Sequence, residues 1–247
     1  MKALIGVVAM VLALDAANFA AGARLGPAQH GPSLFNALGS DDFNDKLPEA
    51  LAALPASQRQ AFEARLARTK SFHSLLQAPP ATAEFPQEIV FSAKVRVERA
   101  AFVLTTSGNA ARDAAELAGN VRLSYEWEGY PDGPMAEAQS AQRYLAGHPN
   151  TSVKDYIQLL LMHRYRCAFE AAERTIPEAL GRPEPNGLAW AEQTRRVQRD
   201  AAVAYRAAWE RARNSRDEVA RTIASDIDAA SYVYVATAAH PRTFKDK

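Results

Sequence analysis

The chain has only one cysteine, Cys167, among 247 residues. No internal disulfide is possible, so the fold rests on its apolar core, and a lone thiol is safest buried. Charge of one sign is lacking as well. Lys and Arg number 29 against 28 Asp and Glu, a net charge of +1, so no global field steers the chain toward nucleic acid or acidic membranes. Residues 188–221 hold eight arginines, but Glu192, Asp200, Glu210, Asp217 and Glu218 stand among them, as on a solvated helix face. Absent too are G-x-S-x-G, a Walker loop, G-x-G-x-x-G and H-E-x-x-H, so no cofactor is expected and enzymatic chemistry has no motif behind it.

Long apolar runs are also missing. The most apolar stretch, "ALIGVVAMVLAL" behind Lys2, has twelve residues, short of the ~20 that span a bilayer. Followed by small residues and an A-x-A-like site at Ala21 and Ala23, it has the grammar of a secretory signal cut after Ala23. The expected organisation is a signal peptide over 1–23, a flexible lead-in over 24–45 with a turn near "SLFNAL", and one helical domain over 46–247. The expected location is periplasmic or secreted, with no transmembrane span after cleavage.

What is present is helix punctuation. Ser57 with Gln60, Ser152 with Asp155, and Ser215 with Glu218 each have capping-box spacing. Phe62, Leu66, Thr69, His73 and Leu76 share one helical face before Pro79-Pro80. Residues 86–105 carry both a helical period and β-branched strand character, so the pattern leaves helix and strand open there. Ala111, Ala114, Leu117, Ala118, Val121 and Tyr125 mark another helix. "VKDYIQLLLMHRYRCAFEAAER" is apolar over an arc wide enough for a central helix covered by several neighbours. Trp190, Thr194, Val197, Ala201, Ala204 and Ala208 predict the next stripe; Val219, Ile223, Ile227, Ala230 and Val233 predict the last. The expected fold is all-α, about seven helices packed as a bundle or as stacked antiparallel pairs.

The stretch from Tyr125 to Ser152 concentrates Trp127, Tyr130, Tyr144, Glu126, Glu128 and Asp132 around two proline turns. Asp132 suits a helix cap and Gly147 a helix end. Within it, "AEAQSAQRYLAGHPNTSVKDYIQLLLMHRY" (136–165) resembles a tetratricopeptide repeat: small residues, an aromatic-leucine pair, "HPN" at the turn, then an apolar helix. "EPN" at 184–186 echoes "HPN" at 148–150, 36 residues on, near the repeat period of about 34. The resemblance implies a concave surface for a protein or peptide partner and no catalysis.

Three constellations compete for function. Trp127, Tyr130, Tyr144, His148 and Tyr156 are candidate binding residues for a periplasmic protein or peptide partner, an immunity or inhibitor role included. Glu126 or Glu128 with Asp132 could cleave cell-wall glycan, although two acids two apart point to different sides of a helix. His163, Cys167 and Glu170, at i, i+4 and i+7, could hold a metal ion. The plainer reading of that triad is a buried thiol, a hydrogen-bonded imidazole, and Glu170 paired with Arg166 or Arg174.

Overall fold

The computed structural model describes residues 34–35, 48, 50–52, 54–69, 85–106, 108–123, 127, 129–230 and 233–234. The leader, most of the lead-in, His73, Leu76, Tyr125, Glu126, Glu128 and Tyr232 lie outside the described residues. Among the described residues there is no strand, and seven helices have defined ends. They are α1 (Ala56–Thr69), α2 (Phe85–Leu104), α3 (Ala110–Asn120), α4 (Asp132–Gly147), α5 (Lys154–Leu180), α6 (Asn186–Arg213) and α7 (Glu218–Ala229). The ambiguity over 86–105 resolves to helix: Val97, Ala101 and Leu104 bury a helical face, and burial outweighs β propensity.

The central helix is α5, which packs on α2, α4, α6 and α7. Ile157, Leu159, Leu160, Leu161 and Met162 are at most 2% exposed although they point in every direction around it. Each such side chain contributes roughly 1.5–3 kcal/mol of burial. Core residues from all seven helices join one cluster, which Leu34 and Phe35 also enter; the Leu34 N–H donates to Asp226 at 2.9 Å. No described helix is long and apolar enough to cross a membrane.

Helices α5 and α6 form an antiparallel pair, each about 40 Å long. The side of α6 that meets α5 is Gly187, Ala191, Thr194, Ala201, Tyr205, Ala208 and Ala212. Thr194, Ala201 and Ala208 of the expected stripe lie on it, whereas Trp190, Val197 and Ala204 are only half-buried beside it. Small side chains let the backbones close. A Cβ on Gly187 would stand 2.6 Å from the carbonyl oxygens of both Ala179 and Arg182. On the outer face, Arg195, Arg196, Arg199, Arg206, Arg211 and Arg213 are exposed, with pairs such as Arg196–Glu192 at 3.0 Å.

The three capping boxes are not formed. Ser57 lies inside α1, which starts one residue earlier, behind Pro55. The Ser152 N–H and hydroxyl both donate to Asp113 at 2.8 Å, which ties the α4–α5 joint to α3, while Val153 opens α5 without a side-chain cap. Asp217, not Ser215, caps α7, accepting from the Val219 N–H at 2.9 Å and from Arg65. Nor does the Asp132 side chain cap α4. In the first and last boxes the helix starts elsewhere; in the middle one a tertiary partner takes the serine.

Gly187→Ala is expected to lower the unfolding free energy by about 1–3 kcal/mol, because the atoms it meets are backbone. Gly119→Ala, in α3 with nothing within 4 Å of the new Cβ, is expected to raise it by roughly 0.5–1 kcal/mol. Urea unfolding of the two variants checks both signs.

Candidate functional site: a charge ladder on helix α5

One ridge of α5 carries Arg166, Glu170, Arg174 and Glu178, with Arg182 just past its end, charges alternating every four residues. Residues so spaced are neighbours, and the ridge winds slowly around the helix. Its inner end is buried and its outer end exposed.

At the inner end, Arg166 and Glu170 are paired at 3.0 Å with side chains 4% and 7% exposed. A buried pair this dry is stable only if its remaining donors and acceptors are met. Here backbone meets them. Arg166 donates to the carbonyls of Ile227, Asp228 and Ala230. Glu170 accepts from the N–H groups of Val233 (3.1 Å) and Tyr234 (2.7 Å). The carbonyls of a last helical turn have no intrahelical partner, so the guanidinium caps α7 and the carboxylate holds the chain that leaves it. This corrects the last apolar stripe: α7 stops at Ala229, and Ala230 is extended. Val233 is still fully buried, but in a non-helical segment.

Further along, the Arg174 guanidinium lies 4.6 Å from the centre of the Tyr234 ring, which packs on Trp127 at 5.6 Å. Trp127 is 4% exposed. Its Nε1 donates to Glu137 at 2.9 Å, Glu137 also accepts from Arg164 at 2.7 Å, and the Arg164 guanidinium stands over the indole. A Cβ on Gly133 would come within 2.5 Å of that indole, so the turn into α4 needs glycine there.

The outer end is open. The Tyr130 and Trp190 rings meet at 6.0 Å, tilted by 55°. The Tyr130 hydroxyl reaches Glu178 at 3.4 Å, Glu178 pairs with Arg182 at 3.0 Å, and Arg182 covers the Trp190 ring. With Pro131, Asp132, Thr194 and Val197 these rings enclose a recess of about 180 Å³. That is below the ~300–1,000 Å³ of pockets that enclose small molecules, and suits one inserted side chain. Leu180 and Leu188, at the same end of the α5–α6 hairpin, are 46% and 50% exposed. A second cleft of about 370 Å³, lined by Arg65, Ser152, Asp155, Arg216, Asp217 and Glu218, has mixed charge, and Arg65 already binds Asp217.

Of the five residues read as binding candidates, Tyr130 borders the open recess. Trp127, Tyr144 and Tyr156 are core residues, Tyr156 near Phe35 at 6.1 Å. His148 is half-buried, stacks on Tyr144 at 4.2 Å and meets Glu116 at 3.1 Å. Asp132 is exposed at the edge of the recess. The residue that sequence reading placed on an apolar stripe rather than in a site is Trp190.

His163, Cys167 and Glu170 do share one side of α5, but each is engaged elsewhere. Arg164 donates to His163 Nδ1 at 2.9 Å, so that nitrogen accepts and the imidazole is neutral. Glu170 is taken by Arg166 and two N–H groups. Burial pushes the Cys167 thiol well above its usual value, with the Sγ 3.5 Å from His163 and aimed at the Val233 carbonyl; a thiol so held is not a nucleophile. Among the described residues no group of three or more His, Cys, Asp and Glu could hold a metal ion. Comparison of the chain with known protein families, characterised proteins and solved structures finds no match.

Two outcomes follow. Arg166→Met leaves Glu170 buried without its cation and is expected to cost about 3–5 kcal/mol, whereas adding Glu170→Leu recovers part of the loss; a double-mutant cycle by denaturant unfolding reads the difference. The second concerns His163, whose imidazole is pushed well below its ordinary value by burial, then by the Arg164 and Arg166 charges. The unfolded chain takes up a proton near pH ~6.5 and the folded one resists it, so this contribution is present above that pH and fades below it. The Tm advantage of wild type over His163→Gln is expected to shrink between pH about 7.5 and about 5; an unchanged gap would contradict it.

Proposed function

We propose that this chain is an exported helical binding protein that receives a segment of a protein or peptide partner, seating one aromatic or large apolar side chain in the recess bordered by Tyr130, Trp190 and Val197. The observation that carries this reading is the recess itself: two tilted, adjoining rings and Val197, open to solvent, at the end of a charge ladder whose other groups are satisfied internally. Aromatic residues in such recesses supply much of the binding energy of interfaces, with surrounding polar groups excluding water. Exposed Leu180 and Leu188 add apolar area at the same end. The resemblance of residues 136–165 to a tetratricopeptide helix pair agrees in kind, since it implies a peptide-binding surface. The leader-like N-terminus supports a periplasmic or secreted setting, in which blocking a toxin or an enzyme is one form the role would take. Glycan cleavage by Glu126 or Glu128 with Asp132 draws no support from Trp127, whose ring is buried and cannot stack on a sugar.

Selection of peptides displayed on phage against the purified chain is expected to enrich sequences with an aromatic or large aliphatic anchor. Trp190→Ala should weaken those peptides tenfold or more while leaving the circular dichroism unchanged. Enriched peptides indifferent to Trp190, or no enrichment at all, would contradict the reading.

A further inference from the structure

The inner half of the same ladder is already occupied, and its occupant is the chain itself. Beyond α7, Ala230, Val233 and Tyr234 lie against α5, where the Val233 and Tyr234 N–H groups converge on the Glu170 carboxylate. Successive N–H groups gathered on one anion form a nest. Arg166 binds the Ala230 carbonyl, and the Cys167 thiol donates to the Val233 carbonyl at 3.8 Å. All of these contacts run from side chains of α5 to backbone of the segment, so they hold the chain without reading its sequence. Selectivity lies in two places: an enclosed pocket for Val233, 0% exposed, and a slot for the Tyr234 ring between Trp127 and Arg174. A groove that reads backbone with one ion pair and side chains with two pockets has the parts of a peptide site.

We propose that this groove is an exchangeable peptide-binding site whose resting occupants are Val233 and Tyr234 of the chain itself, and that its external ligand is a non-helical peptide with a β-branched residue followed by a tyrosine. The proposal rests on the binding reading above and gives the partner a chemistry. The resident segment and the ligand make the same contacts, so they exclude one another. The resident has the advantage of being tethered, and binding from outside is weak until it is unseated.

The test uses the full chain and a fluorescein-labelled peptide of residues 229–236, AASYVYVA, followed by anisotropy. Val233→Pro removes one N–H that Glu170 receives from the resident segment, and is expected to raise peptide affinity at least tenfold over wild type. Glu170→Ala added to Val233→Pro should abolish the gain, and a peptide with proline at the Val233 position should not bind. Should Val233→Pro lose its helical circular dichroism, Tyr234→Ala unseats the same segment through its ring and is read in the same way. A folded Val233→Pro or Tyr234→Ala chain that binds no better than wild type overturns the proposal, as does binding that survives Glu170→Ala. The phage-selected peptides read the Tyr130–Trp190 recess and the gain on Val233→Pro reads this groove, so failure of one is distinct from failure of the other.

Discussion

Arg166 and Glu170 are charged, paired and almost without exposure to solvent on the central helix α5. Removing two charges from solvent costs several kcal/mol per ion, and their mutual attraction alone does not return it. The difference is made up by backbone: three carbonyls around the end of α7 and two N–H groups beyond it. Much of the surrounding structure follows. α7 ends where it does because its last carbonyls turn to Arg166. The segment after it lies on α5 because Glu170 receives it. Tyr234 thereby reaches Trp127, which completes the cover over Glu137 and Arg164 and shuts Cys167 away from solvent. Burial raises the Glu170 carboxyl above its ordinary value, against the pull of Arg166 and the two N–H groups, the expected strain in a site held by geometry rather than by hydration.

The second constraint is the closeness of α5 and α6. Gly187 and the alanines at 191, 201, 208 and 212 place two long helices in backbone contact. That fixes where the α5–α6 hairpin ends, and so where Trp190 stands relative to Tyr130 and Glu178. The open recess is thus a product of the seam: its rings come from different elements and are positioned by small residues that touch neither ring. The one ladder then serves two ends, a closed one that binds the chain's own backbone and an open one bordered by Tyr130 and Trp190.

How far this was legible in the sequence depends on the kind of signal. Helical periodicity announced the all-α fold, and the all-round apolar pattern of residues 153–174 marked the central helix. The seam of α6 came out half right because Gly187, Ala191 and Thr194 carry little hydrophobic signal, while Trp190 and Val197 carry much and lie at its edge. The middle capping box failed because the Ser152 hydroxyl donates to Asp113, a tertiary partner, and the other two failed because the helix starts at another residue. A pairing of Glu170 with Arg166 or Arg174 was readable from i, i+4 spacing, and Arg166 is the partner. Its burial was not, since charged residues are almost never fully buried, and its backbone partners lie more than sixty residues away. Trp127 looked like a binding residue because aromatic density looks the same whether the rings pack inward or outward. The recess bordered by Tyr130 and Trp190 joins residues sixty apart, and no local pattern links them.

The most direct test of the central claim is native-state hydrogen exchange at the Val233 and Tyr234 amides, compared between wild type and Glu170→Ala. If the buried carboxylate holds the segment, both amides are protected in wild type to a degree comparable with α7 and become fast-exchanging in the variant, while amides in the middle of α5 keep protection. Fast exchange of Val233 and Tyr234 in the wild-type chain would contradict the account, because the ion pair would then be buried without the backbone partners on which it depends.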